Sequence, residues 1–111
     1  MPEFELLLEQ QDEVRSRLLQ WFARYDVLIC PTDAAPARVI GEPVPRTTSY
    51  RSLFNVTGWP AVVVRAGTSP EGLPIGLQVV ARPWREDVAI AVAQHIENQF
   101  GGWRKPAPLP A

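Results

Sequence analysis

Cysteine, histidine and lysine each occur once in the 111 residues, as Cys30, His95 and Lys105. A single cysteine excludes a disulfide framework within the chain and a multi-cysteine metal site, and one cysteine with one histidine cannot complete a zinc site. Apolar runs are short, Ala61–Val64 among them, so none spans a bilayer. No block of one charge exists: 11 basic and 12 acidic residues are mixed along the chain, for a formal net charge of −1. That balance gives no electrostatic reason to expect nucleic acid or a membrane as partner. The start, MPEFELLLEQQDE, lacks the basic opening and apolar stretch of a signal peptide, and the expected setting is cytoplasmic. Gly58, Gly67, Gly72 and Gly76 match no phosphate-loop spacing, and no cofactor is expected. Asp33 and Asp87 are too isolated to argue for a carboxylate pair.

Proline, in contrast, is abundant. Eleven of the twelve prolines cluster at Pro31–Pro45, Pro60–Pro83 and Pro106–Pro110, so the elements between them should be short and the connectors stiff. Hydrophobic residues make up 46% of a chain long enough for one small domain.

Residues 3–25 have the pattern of one long helix. Val14, Leu18, Trp21, Phe22 and Tyr25 recur at helical spacing, Phe4, Leu7 and Leu8 extend the stripe, and Gln10, Gln11, Glu13, Arg17, Gln20 and Arg24 fill the other side. A core-packing stripe is one reading and a partner helix the other. Residues 27–30 form a continuous apolar run stopped by Pro31, the pattern of a strand buried on both faces in a helix-covered sheet. Helix, brief break and buried strand point to the α/β class. Residues 31–46 are a proline-rich loop. Residues 48–57 have the pattern of a short helix ended by Gly58, with Tyr50, Leu53 and Phe54 on one face. Runs 61–65 and 75–82 should pair as an antiparallel hairpin across a turn containing Pro70 and Gly72. Residues 86–99 form a helix with Glu86 and Asp87 at its positive end, and 101–111 an extended proline-rich tail. Trp59–Pro60 is a candidate cis bond, although most such bonds are trans.

Four pieces are more specific together than singly: YDVLICPT at 25–32, FNVTGWPA at 54–61, GLPIGLQVV at 72–80, and the final helix with its acidic start. In this order and at these intervals the chain resembles, over about residues 13–106, the C-terminal end of the amidase-signature family, which includes bacterial amidases, fatty-acid amide hydrolases and the A subunit of glutamyl-tRNA(Gln) amidotransferase. The resemblance implies the closing part of that family's mixed sheet: long helix, buried strand, short helix, antiparallel hairpin and final helix, together one partial domain. Arg65 departs from the pattern, since relatives commonly carry proline at the end of the first hairpin strand, and this puts the local loop geometry in question.

The family cleaves or transfers amides with a Ser–cis-Ser–Lys triad, in which lysine activates serine by way of the bridging serine and backbone N–H groups hold the oxyanion. Ser16, Ser49, Ser52 and Ser69 lie in no Gly-Gly-Ser-Ser-Gly context, and Lys105 lies in the tail, so the resemblance carries no catalytic residue onto this chain. It implies a segment that is inactive alone. Thr48 and Ser52 match pocket-facing positions of the family's short helix. Spaced four residues apart they would share a helical face, and their small polar side chains suit a modest polar substrate group; the alternative is that they only cap and solvate a surface helix. The implied partners are the remaining amidase portion or a second copy of the chain, with a small amide substrate in the complete enzyme. A non-catalytic interaction or oligomerisation module is the competing reading, because a three-strand remnant has exposed edges and an uncovered apolar face. A Cys30–His95 dyad is the sharper alternative for the two rare residues, against a small core residue and a helix residue at the core edge.

Overall fold

The computed structural model describes residues 2–43 and 50–108. Its described elements are α1 (Pro2–Phe22), β1 (Val27–Pro31), α2 (Ser52–Thr57), β2 (Ala61–Thr68), β3 (Pro74–Ala81) and α3 (Glu86–Phe100). The three strands form one sheet in the order β1-β3-β2, antiparallel throughout. The central position of β3 follows from its composition, since Val79, Val80 and Ala81 are all fully buried.

Residues opposite one another in an antiparallel pair point to the same face. Leu28 pairs with Val80 and Cys30 with Gln78, so these four share one face. There Val80 packs with Phe22 of α1, Phe54 of α2 and Trp59, and Leu18, Leu28 and Cys30 border the cluster. Val79 and Ala81 point the other way, and α3 packs over β2 and β3 through Ala89 and Ala93, whose small side chains let the helix approach closely.

The strand expected at 27–30 is present but is not buried on both faces. β1 pairs only with β3, and α3 covers β2 and β3, so Ile29 stays 47% exposed. The first helix stops at Phe22, three residues short of the expected end, and the Tyr25 N–H donates to Phe22 O at 3.0 Å as the chain turns into β1. Its docking side is rotated from the expected one. Gln11 Nε2 donates to Val56 O at 2.6 Å and Arg15 Nε to Thr57 O at 3.2 Å. With Leu18 and Phe22 they make the docking stripe, which satisfies carbonyls at the C-terminal end of α2. Val14, Trp21 and Tyr25 are left exposed.

The short helix begins at Ser52, with Arg51 at its N-cap, and ends at Gly58, whose φ of 70° is the left-handed conformation that glycine adopts without strain. Strand β2 runs three residues past its expected end, because a bulge between Arg65 and Gly67 absorbs one residue and pairing resumes. Trp59–Pro60 is trans, as no described peptide bond is cis. The link from β3 to α3 is a tight turn: Arg85 N donates to Arg82 O at 3.1 Å, with Pro83 and Trp84 in the middle and Trp84 at φ 65°. A proline followed by positive φ has the pattern of a type II turn, where glycine is usual and tryptophan is not.

Arg65, the departure from the family pattern, has a defined place. Its Nη1 donates to Phe100 O at 3.5 Å and to Gly102 O at 3.4 Å, and its Nη2 donates to Thr68 Oγ1. The last turn of α3 has no basic residue of its own, so β2 supplies the cation that complements the helix's negative end. Arg65→Ala should lower stability by about 0.5–1.5 kcal/mol, and fraying of residues 97–102 in amide exchange should accompany the loss. An unchanged denaturation midpoint would remove this role.

Asp87 opens α3. Arg85 grips it with Nε to Oδ1 at 3.0 Å and Nη2 to Oδ2 at 3.1 Å, and this hydrogen-bonded guanidinium holds the Asp87 carboxyl below the usual carboxylate range. A carboxyl with a depressed folded-state pKa stabilises the fold above its ordinary pKa, and that contribution is lost as pH falls through the lowered value. The stability gap between the natural chain and Asp87→Asn should therefore be present at neutral pH and close on acidification. Paired urea titrations across that range measure it.

Candidate functional site

The side chain that organises the proposed pocket region is Gln78, 2% exposed in the middle of β3. Its Nε2 lies 3.2 Å from Pro31 O, 3.1 Å from Tyr50 O and 3.2 Å from Cys30 Sγ. An amide nitrogen carries two hydrogens, so the two carbonyls take the strong bonds and the sulfur a weak shared one. Pro31 ends β1 and Tyr50 stands two residues before α2, so one side chain ties together both ends of the long loop. Tyr50 N donates to Thr32 O and Thr32 N to Gly76 O, each at 3.4 Å, which closes the same corner. Strand alternation puts Gln78 on the same face as Val80. A lone polar residue on the inward face of a strand otherwise reading I-G-L-Q-V-V was the available signal.

Thr32 and Asp33 follow β1 in this corner. Thr32 Oγ1 and Asp33 Oδ1 are buried and have no hydrogen-bond partner among the described residues. Both residues border a cleft of about 160 Å³ that also touches Gly76. A Cβ at Gly76 would sit 3.2 Å from both Thr32 Oγ1 and Val63 Cγ1, so glycine is what lets the loop lie this close. Asp33 Oδ2 faces Arg51 Nη2 at 3.6 Å, and Asp33, Arg38 and Arg51 border an adjoining cleft of about 300 Å³. The salt bridge brings the start of α2 to the loop.

Ser52 is exposed at that start, while Phe54 and Thr57 of the same helix are buried. Thr48 lies outside the described residues. The helical face expected to join Thr48 to Ser52 therefore falls outside what the structure describes, and α2 is described from Ser52 onward. The other described serines stand apart: Ser16 is on α1, and Ser69 is buried in the hairpin turn, where its Oγ accepts from Leu73 N at 3.2 Å. A Ser69 hydrogen bond also holds the Glu71 carboxyl below its ordinary range. Cys30 and His95 are not brought together. Cys30 points at the Phe22 cluster on one face of the sheet, whereas His95 is exposed on α3, which covers the opposite face.

The likeness of the chain to known proteins extends well beyond this corner. The sequence model of the Amidase family matches residues 4–89. The chain belongs to the Amidase family. Over 102 residues this chain is 32% identical to fatty-acid amide hydrolase 2-A of Danio rerio, covering 90% of itself and 19% of that protein. Over 98 residues it is 37% identical to the A subunit of glutamyl-tRNA(Gln) amidotransferase from a Picosynechococcus strain, covering 80% of itself and again 19% of the relative. The chain thus spans about a fifth of the length of these curated relatives. Among solved structures, 6-aminohexanoate cyclic dimer hydrolase superposes with a TM-score of 0.75 at 28% identity, over 87% of this chain and 24% of that one. The A subunit of glutamyl-tRNA(Gln) amidotransferase from Thermotoga maritima gives 0.73 at 28% identity, over 86% and 22%. The mixed α/β architecture expected from the resemblance is therefore that of amidase-signature enzymes. No helix among the described residues is long and apolar enough to cross a membrane.

Proposed function

We propose that this chain builds one wall of the substrate cleft of an amide hydrolase and completes its sheet, while the nucleophilic serine and its lysine come from amidase sequence outside these residues. The observation that carries the reading is the pair of buried acceptors, Thr32 Oγ1 and Asp33 Oδ1, beside the start of α2. Buried acceptors need donors, and the N–H groups of an amide are donors of the right kind. Ser52, and Thr48 upstream of it, would add small polar contacts to the same substrate, which favours a modest polar group near this wall.

On this reading the purified chain has no amidase activity of its own. Assay against simple amides should give no turnover above background. Clear turnover abolished by a serine-directed fluorophosphonate would overturn the proposal.

One observation favours a second reading, an interaction or oligomerisation module. The radius of gyration is 17.0 Å, against about 13 Å for a compact domain of this length. Phe4, Leu7, Val14 and Trp21 are all exposed along α1. On that reading the amidase remainder, or a second copy of the chain, covers this surface. Light scattering separates the cases, since a clean monomer at micromolar concentration argues against self-association.

A further inference from the structure

A second concave site lies away from the Thr32–Asp33 corner, where the proline-rich tail folds back along the hairpin turn. The cleft measures about 540 Å³, within the size range of small-molecule sites. Leu73, Pro74 and Trp103 supply apolar walls, and Arg65, Arg104 and Lys105 bring three cationic side chains to the same cleft. Among the described residues no carboxylate borders it, and none of the three cations has a carboxylate partner. In a chain of net charge −1, three cations around one cleft with no anion among them are a local imbalance. Arg65 is fixed by its bonds to Phe100 O, Gly102 O and Thr68 Oγ1. Its acceptors offer only the partial negative charge of the α3 C-terminus, so Arg65 has no full anionic partner among the described residues. Trp103, 75% exposed, offers an indole face at the rim.

We infer that this cleft binds an organic carboxylate, with the anionic head among Arg65, Arg104 and Lys105 and an apolar or aromatic body against Leu73, Pro74 and Trp103. Guanidinium groups bind carboxylates through charge-assisted, often bidentate hydrogen bonds. An apolar wall beside them selects for a body that a free inorganic anion lacks. The stiff tail restricts how far the indole and the two tail cations can move away, which reduces the ordering cost of binding. The site depends on Arg65 and is independent of the amide-cleft proposal.

The test uses the full chain and 4-phenylbutyrate as probe, with 4-phenylbutylamine and 4-phenylbutanol as the charge-reversed and neutral controls. Binding is read by tryptophan fluorescence and by equilibrium dialysis. The carboxylate should bind saturably and the controls should not. Added salt should weaken the binding. The double substitution Arg104→Gln with Lys105→Gln, at two exposed tail positions, should weaken it roughly tenfold while leaving the far-UV spectrum unchanged. Trp103→Phe should abolish the fluorescence change. Absence of saturable binding, equal binding of a control, equal affinity of the double variant, or a fluorescence change that survives Trp103→Phe would each overturn the inference.

Discussion

Replacing Phe22 by alanine should destabilise the chain by about 3–5 kcal/mol, a large share of what a small domain has. Phe22 is fully buried and is the one buried residue that α1 contributes. Its ring meets Trp59 edge-on at 5.0 Å and 79°, and Trp21 at 5.8 Å and 72°. Alanine would leave a cavity between Phe54, Trp59 and Val80, walled by a sheet that cannot collapse to fill it. The remaining ties of α1 are Leu18, which is partly buried, and the two side-chain bonds of Gln11 and Arg15 to the end of α2. Hydrogen bonds at that exposure stabilise too little to hold 21 residues of helix against the entropy of releasing them.

The loss should be unequal across the molecule. Val79 and Ala81 pack with Ala89 and Ala93 on the far side of the sheet and share no side chain with the Phe22 cluster. Amide exchange should therefore show α1 losing protection first, with β2, β3 and α3 retaining more of theirs. Phe22→Leu keeps most of the volume and should lose about a third as much. Loss below about 1 kcal/mol for alanine, or uniform loss of protection, would mean that α1 is not docked through this residue.

That docking shows where the sequence is informative and where it is not. The apolar periodicity of residues 3–25 gives the helix, because periodicity reports local conformation. It does not give the docked side. The apolar stripe centres on Val14, Leu18 and Trp21, but the contact runs through Gln11, Arg15, Leu18 and Phe22. The open carbonyls at the end of α2 select those donors, and no residue of α1 announces them. Gly58 was legible as a helix end for the opposite reason: its left-handed cap, at φ 70°, needs one residue type at one place, as does the cap at Gly101, at φ 80°. The antiparallel hairpin was legible from its valines and its turn. The extension of β2 to Thr68 was not, since the bulge at Arg65–Gly67 interrupts alternation where the pattern would have to continue. The exposure of β1 follows from its place in the sheet order, which a four-residue apolar run cannot encode.

The candidate site was legible in its landmarks and not in its wiring. The motifs at 54–61 and 72–80 mark the corner, whereas Ser52, exposed at the start of α2, lines neither of its two clefts. Thr32 and Asp33 acquire their significance only because β1 lies beside β3, which brings residues more than forty positions apart onto Gly76.

Gln78→Leu isolates that wiring. Leucine nearly matches glutamine in volume, so packing with Val80 and Cys30 survives while the donors for Pro31 O and Tyr50 O are lost. Both bonds are only partly buried, so water can reach the freed carbonyls in part, and the expected loss is about 1–3 kcal/mol. Its distribution is more diagnostic than its size. Residues 32–33 and 50–52 should lose amide protection, whereas the β2–β3 ladder and α3 should keep theirs. Gln78→Glu should be worse at neutral pH, because a carboxylate would face two carbonyl oxygens with no hydrogen to give. Burial and those neighbours would raise its folded-state pKa above the ordinary range. An acid with a raised folded pKa is least destabilising when protonated, so this variant should recover stability as pH falls and lose it as pH rises through that pKa. The leucine variant has no such group and should show no comparable recovery relative to the natural chain. If the two variants follow the same pH course, or if leucine leaves exchange at residues 32–33 and 50–52 unaltered, Gln78 does not tie the loop to α2, and the start of that helix must be held by Asp33 and Arg51 instead.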